Sequence, residues 1–339
     1  MNRTTLSVGQ VRRLLEGAAK ARIVVLGDVI LDQFLWGRVT RISPEAPVPV
    51  VDFDRESFIP GGAANVARNL ANLSVTTEIL GVVGQDDAAH TLRKLLTQNK
   101  IGCSGLLSLP GRITSIKTRI VAHQQQVVRV DRETRGDISG PMLKRLLRQL
   151  EKTLDGADAL ILGDYAKGVI TQPLLDAVSK LCRERGIWLS LDPKPLHSLD
   201  LSGVSLLTPN RKEAFELASI TDDGRHDSPT QDANLLRVAD KLFVDYAPAL
   251  LLITLGEQGM LLCQREQKPF HIPTVAQEVF DVSGAGDTVI ASFTLAVVLG
   301  ASPIEAAIFS NHAAGVVVGK VGTATVHAQE LIDSFNGQR

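Results

Sequence analysis

The chain has 339 residues, 44% hydrophobic and 22% charged, which fits a folded globular protein and argues against disorder. Lys and Arg total 36 against 37 Asp and Glu, so the net charge is −1 and gives no strong pull toward nucleic acid or an anionic membrane. Cys103, Cys182 and Cys263 are scattered, with no CxxC pair and no basis for a disulfide framework, which fits a reducing, cytoplasmic compartment.

Residues 1–20 carry Arg12, Arg13, Glu16 and Lys20 and lack the apolar stretch of a signal peptide. Residues 22–26 read as a buried strand that ends at Gly27-Asp28. Residues 42–54, with Pro44, Pro47 and Pro49, read as an edge strand or flap. A Gly61-Gly62 turn then leads into a helix over 65–73, with Val66, Ala67, Leu70 and Leu73 at helical spacing. Residues 113–131 alternate as a half-exposed hairpin, with Gln124 to Gln126 near its turn. Four further apolar runs, 159–162, 187–191, 204–207 and 250–253, read as parallel strands, and residues 173–185 as a helix. Residues 219–230 are polar and read as an exposed loop. The longest apolar stretches, 249–255 and 289–300, fall short of the ~20 residues that span a bilayer.

This alternation predicts an α/β fold: a doubly wound, mainly parallel sheet with helices on both faces, plus a small β appendage. Ligands of such sheets sit beyond the carboxyl ends of the strands. Asp28, Asp164, Asp192 and Asn210 stand at those ends, and four together point to a site rather than to turns.

The sharpest motif is Asp281-Val282-Ser283-Gly284-Ala285-Gly286-Asp287-Thr288, followed by an apolar helical stretch. A Gly-Ala-Gly turn that opens a helix presents bare N–H groups, and the helix dipole adds partial positive charge, which suits phosphate. Asp287 fits a general base that takes a proton from an attacking hydroxyl, and fits equally a first-turn aspartate. The turn lacks the last glycine of GxGxxG, where Val289 stands, and lies far from the first strand, which argues against a nicotinamide site. The seven histidines show no HxH or HExxH spacing; His123 and His312 read as surface or packed histidines, and Trp36 and Trp188 as packing residues.

Together with Gly61-Gly62-Ala63-Ala64-Asn65-Val66-Ala67, the Asp281 to Thr288 motif resembles the ribokinase or PfkB family of small-molecule kinases, over nearly the whole chain. Three intermediate blocks resemble its heptose-phosphate branch: Arg41 to Val50, Val127 to Glu133, and Gly163-Asp164-Tyr165-Ala166-Lys167-Gly168. The resemblance implies one kinase domain with a β lid inserted at about 33–60 and 112–131. It implies ATP and Mg²⁺, and in some relatives a monovalent cation. It makes Asp287 the base, and Gly284, Ala285 and Gly286 the anion hole. Asn210 and Glu213 would organise Mg²⁺ through water. Thr254, Gly256, Gly259 and Asn311 would lie along the nucleotide. Asp28, Gly61, Gly62, Asn65 and Asp164 would contact the sugar.

The implied reaction is transfer to the anomeric hydroxyl of heptose 7-phosphate. The alternatives are another sugar, such as fructose 6-phosphate or ribose, or a non-catalytic sugar-binding regulator. A terminal substrate phosphate needs cations. Lys194, which follows Asp192-Pro193, is the first candidate, with Lys117, Arg119, Arg129 and Lys167 beside it. The implied partner is a homodimer through the lid, and without a His-x-Gly-His the chain reads as the kinase without an adenylyltransferase.

Overall fold

The structure, a computed structural model, describes residues 5–123, 125–195, 198–276, 278–320 and 322–337. Met1 to Thr4 and the turn position Gln124 lie outside the described residues. A nine-stranded sheet forms the centre. Its strands run, edge to edge, Phe270–Ile272, Met260–Gln264, Leu250–Thr254, Leu206–Leu207, Trp188–Asp192, Ala159–Gly163, Arg22–Gly27, Thr76–Val83 and Gly102–Ser108. All neighbours are parallel except at the Met260–Gln264 strand, which is antiparallel to both of its neighbours.

The five expected strands are present within a residue or two. The strand expected over 204–207 pairs only at Leu206–Leu207. The strands Thr76–Val83, Gly102–Ser108, Met260–Gln264 and Phe270–Ile272 were not expected. Two of them form the antiparallel edge, where no crossover helix announces a strand.

Successive residues of Arg22–Gly27 point to opposite faces, and each face has its own core. Ile23 and Val25 join Val66, Leu70, Phe293 and Phe309 on one side. Val24 and Leu26 join Leu146, Leu150, Leu174 and Leu242 on the other. Helices Ala63–Asn72, Ala285–Val298 and Pro303–Val318 cover the first face, and Gly140–Thr153, Gln172–Arg185 and Ala233–Tyr246 the second. Among the described residues no helix is long and apolar enough to cross a membrane.

A second sheet has the order Pro49–Gly62, Val29–Ile42, Ser115–Ala122, Gln125–Arg132. Pro49 opens an edge strand, where its missing N–H breaks no ladder bond. The chain leaves Arg22–Gly27 for Thr76–Val83 on one side and returns to Ala159–Gly163 on the other. The strand order therefore reverses at this pair, and the crevice beyond Gly27 and Gly163 is the switch point of the sheet.

Candidate active site

Two helix N-termini meet at the switch point. Helix Ala63–Asn72 starts after Gly62, and helix Ala285–Val298 after Gly284, whose φ is 80°. Gly62, rather than Asn65, is the N-cap of the first helix. The two are tied side to side: Thr288 Oγ1 donates to Asn69 Oδ1 at 3.0 Å, and Asn65 Nδ2 donates to Asp287 Oδ2 at 2.7 Å. Gly284 must be glycine. Its backbone is left-handed, and a Cβ would lie 2.7 Å from Asn65 Nδ2 and 2.9 Å from Thr323 Cγ2.

Asp287, 7% exposed, is the centre of the arrangement. The phenol of Tyr165 donates to its Oδ1, and Asn65 to its Oδ2. Burial lifts its carboxyl above the usual range, and these two donors work against that lift. Asn65, expected on the sugar, has its amide on the Asp287 carboxylate. Gly286 and Asp287 occupy the first turn, where N–H groups have no intrahelical acceptor. The N–H of Ala285 instead donates to Val282 O at 3.2 Å, so the expected anion hole is narrower than Gly284 to Gly286.

A cavity of about 490 Å³ opens beside this turn. Thr254, Gly256, Gly259, Asn311, Ala285 and Gly286 all line it. Its remaining wall is largely apolar and includes Met260, Val279, Val289 and Val318. That combination suits a flat heterocycle with its phosphates at the helix start. Asn311 donates from Nδ2 to Pro273 O at 2.8 Å, so it braces the cavity wall. The apolar wall comes from separate segments, and only the expected residues carried a local motif.

Asn210 and Glu213 form a reciprocal cap on helix Arg211–Leu217. Asn210 Oδ1 accepts from the Glu213 N–H at 3.0 Å, and Glu213 Oε2 accepts from the Asn210 N–H at 3.0 Å. Glu213 Oε1 also accepts from Lys194 Nζ at 2.7 Å. Asp192 stands near Glu213 and Asp287, and burial with these two carboxylates holds it well above the usual range. Among the described residues no three metal-ligating side chains converge closely enough to hold an ion alone. Hard oxygen donors that repel one another still fit a Mg²⁺ that keeps its waters and nucleotide phosphates.

Lys194 is thus engaged by Glu213 at the end of the Trp188–Asp192 strand. The lid cations are distributed differently. Arg119 Nη1 pairs with the buried Asp32 at 2.6 Å. Arg129 forms a two-point pair with Asp131 at 2.8 and 3.0 Å. Lys167 pairs with Glu133 at 2.5 Å. Lys117, half-buried, has no hydrogen-bond or ion-pair partner among the described residues. Burial lowers its pKa, and its electrostatic neighbours are Asp32, Lys167, Arg129 and Asp131. A half-buried ammonium without a partner is costly, which points to an anionic ligand.

Asp28 and Asp164 turn inward. Asp28, 1% exposed, accepts N–H bonds from Tyr165 at 3.0 Å, Lys167 at 2.9 Å and Val169 at 3.0 Å. Asp164 accepts from the Ala166 N–H at 2.9 Å. Both shape the turn after the Ala159–Gly163 strand. Gly61 is buried and lies against Asp32, whose Oδ2 would sit 2.2 Å from an added Cβ. The sequence reading missed Tyr165, Asp32 and Arg68. The guanidinium of Arg68 donates to Thr323 O at 3.1 Å and to Asn65 Oδ1 at 3.4 Å, and so supports Asn65 from behind.

The family described as pfkB family carbohydrate kinase matches residues 20–330. Among curated proteins, the Bifunctional protein HldE of Sulfurimonas denitrificans is 43% identical over 310 residues, 91% of this chain and 63% of its own. The protein of the same name from Geobacter metallireducens is 42% identical over 328 residues, 97% of this chain and 66% of its own. The chain therefore spans less than two thirds of the length of these relatives. Among solved structures, Arabidopsis thaliana ribokinase complexed with ribose and ATP superimposes with a TM-score of 0.73 at 20% identity, covering 93% of this chain and 98% of its own. Escherichia coli phosphofructokinase-2 in complex with potassium reaches 0.76 at 21% identity, covering 94% and 99%. These two likenesses concern the fold.

Proposed function

The chain belongs to the pfkB family of carbohydrate kinases, and from that premise we propose that it transfers the γ-phosphoryl group of ATP to the anomeric hydroxyl of a heptose 7-phosphate. The observation that carries this reading is the buried Asp287, held at both oxygens, in the first turn of a helix that opens onto the 490 Å³ cavity. Asp287 accepts the proton of the 1-hydroxyl as its oxygen bonds to the γ-phosphorus. The bond from that phosphorus to the β,γ-bridging oxygen breaks, and ADP leaves. The first-turn N–H groups of Gly286 and Asp287 stabilise the charge on the transferred group. When bound, Mg²⁺ supplies charge neutralisation of the nucleotide phosphates, and Glu213 and Asp192 would hold it through water. The relatives named HldE and the blocks around Arg41 to Val50 and Gly163 to Gly168 support the heptose.

For the substrate's own phosphate we place Lys117 first, since it is a half-buried cation without a partner among the described residues, with Arg129 and Lys167 beside it. The second sheet serves as the lid, and its closure would exclude water as a competing acceptor. Its outer face supports a homodimer. Lys117 and Arg119 pair across from Asp131 and Arg129, whereas Val128 and Val130 alternate with them and are 46% and 53% exposed. Phe53, in the same sheet, is 64% exposed. A dimer in analytical ultracentrifugation is expected, and a monomer at working concentration overturns that part. We place the enzyme in the cytoplasm, where ATP and sugar phosphates are found. The reading is tested by Asp287→Asn, which removes the base and keeps the shape. We expect turnover to vanish and nucleotide affinity to hold. A variant that still turns over refutes the assignment.

A further inference from the structure

The turn that follows the Ala159–Gly163 strand is built with unusual care for a loop. Asp28 anchors three of its N–H groups, and Asp164 a fourth. Ala166 adopts a left-handed φ of 56°, rare for a residue with a side chain. Gly163 leaves room for the Tyr165 ring, since a Cβ there would lie 3.1 Å from its Cε2. All of this fixes one side chain, and its hydroxyl ends on Asp287 Oδ1.

We propose that Tyr165 is a positioning residue for phosphoryl transfer: its phenol holds one oxygen of Asp287 while Asn65 holds the other, so the carboxylate presents a fixed lone pair to the attacking hydroxyl. The inference rests on the reading of Asp287 as the base. Two donors from different elements, 122 and 222 residues away in sequence, leave the carboxylate no free rotation about its last bond. Asn65 is in turn held by Arg68, and Tyr165 by Asp28, so the clamp is rigid on both sides.

The direction of donation is set by the surroundings. Burial, then the neighbouring Asp287 and Asp192, hold the phenol well above its ordinary value, so it keeps its proton and donates. The charged groups that face Asp287 are Asp32 and Lys117 from the second sheet, Arg68 from the neighbouring helix, and Asp192 from a strand end. Among these, Asp32 and Asp192 disfavour an ionised Asp287. The Tyr165 and Asn65 donors favour it. Without the phenol the base would take up its proton at higher pH.

The test uses the full chain with MgATP and heptose 7-phosphate. Tyr165→Phe should lower kcat by about 10- to 100-fold, the range expected for losing one hydrogen bond to a charged group. KM for ATP should hold, and the acid limb of kcat/KM should move to higher pH. A second protein carries 3-fluorotyrosine in a Tyr246→Phe background, which keeps the ring and makes the Tyr165 phenol a stronger donor. Its acid limb should move to lower pH, and this protein decides the matter if the phenylalanine variant does not fold. If neither limb moves while Asp287→Asn is inactive, the role of Tyr165 is refuted and Asp287 stands. If Asp287→Asn turns over, the base assignment falls and Tyr165 falls with it.

Discussion

Gly284→Ala tests whether the clamp around Asp287 is a packing device. The residue has a φ of 80°, and a methyl group there would meet Asn65 Nδ2 at 2.7 Å and Thr323 Cγ2 at 2.9 Å. A left-handed backbone costs an alanine about 1–2 kcal/mol. Forcing a carbon into a filled space costs about 1–3 kcal/mol more. The loss is therefore about 2–5 kcal/mol. With an unfolding entropy of about 2.1 cal/mol/K per residue over this length, the melting point should drop by about 3–7 °C. Activity should fall further than stability, because Asn65 must retreat from Asp287 or shift it. Gly286→Ala is the matched control, since nothing lies within 4 Å of its added Cβ. That variant should melt at or above the parent temperature, yet slow turnover by crowding the cavity mouth. Calorimetry and steady-state kinetics on the two proteins decide it. A Gly284→Ala protein with the parent's melting point and kcat would show that the crowding argument is wrong.

Lys117→Ala should raise KM for a phosphorylated sugar by about tenfold or more, as expected for a lost charge-assisted bond, and leave KM for ATP alone. The same loss on an unphosphorylated sugar would remove Lys117 from the phosphate. His312 supplies a pH prediction. It is 2% exposed, stacks on Phe335 with ring centres 3.6 Å apart, and burial lowers its pKa to about 4. The unfolded chain protonates it near 6.5, so the unfolded state binds more protons between those values. Stability should therefore fall by about 3 kcal/mol as pH drops from 6.5 to about 4. Denaturant titrations of His312→Gln should show that part of the slope removed, and an unchanged slope would contradict the assignment.

The legible parts of this protein were the local ones. Apolar runs ending in Gly-Asp or Thr-Pro-Asn located the strand ends, because burial on both faces leaves a continuous apolar signature. The turn at Gly284 to Asp287 was legible because its chemistry is local. The partners of Asp287 were not. Asn65 and Tyr165 reach it across 222 and 122 residues, and no periodicity encodes such a meeting. Tyr165 stands inside the Gly163 to Gly168 block, yet only the three-dimensional turn anchored by Asp28 aims its hydroxyl. Lys194 shows the converse. Its place after a strand end suggested a phosphate ligand, whereas Glu213, 19 residues on, engages it. The edge strands Met260–Gln264 and Phe270–Ile272 went unseen because antiparallel pairs need no crossover to mark them.

The most direct measurement is ADP release with MgATP across a panel of sugars and sugar phosphates that includes heptose 7-phosphate, with the product's new phosphate located by NMR. Turnover on the heptose phosphate with a phosphate placed at carbon 1 is the predicted result. Turnover on another sugar alone, or a phosphate elsewhere on the heptose, would contradict it.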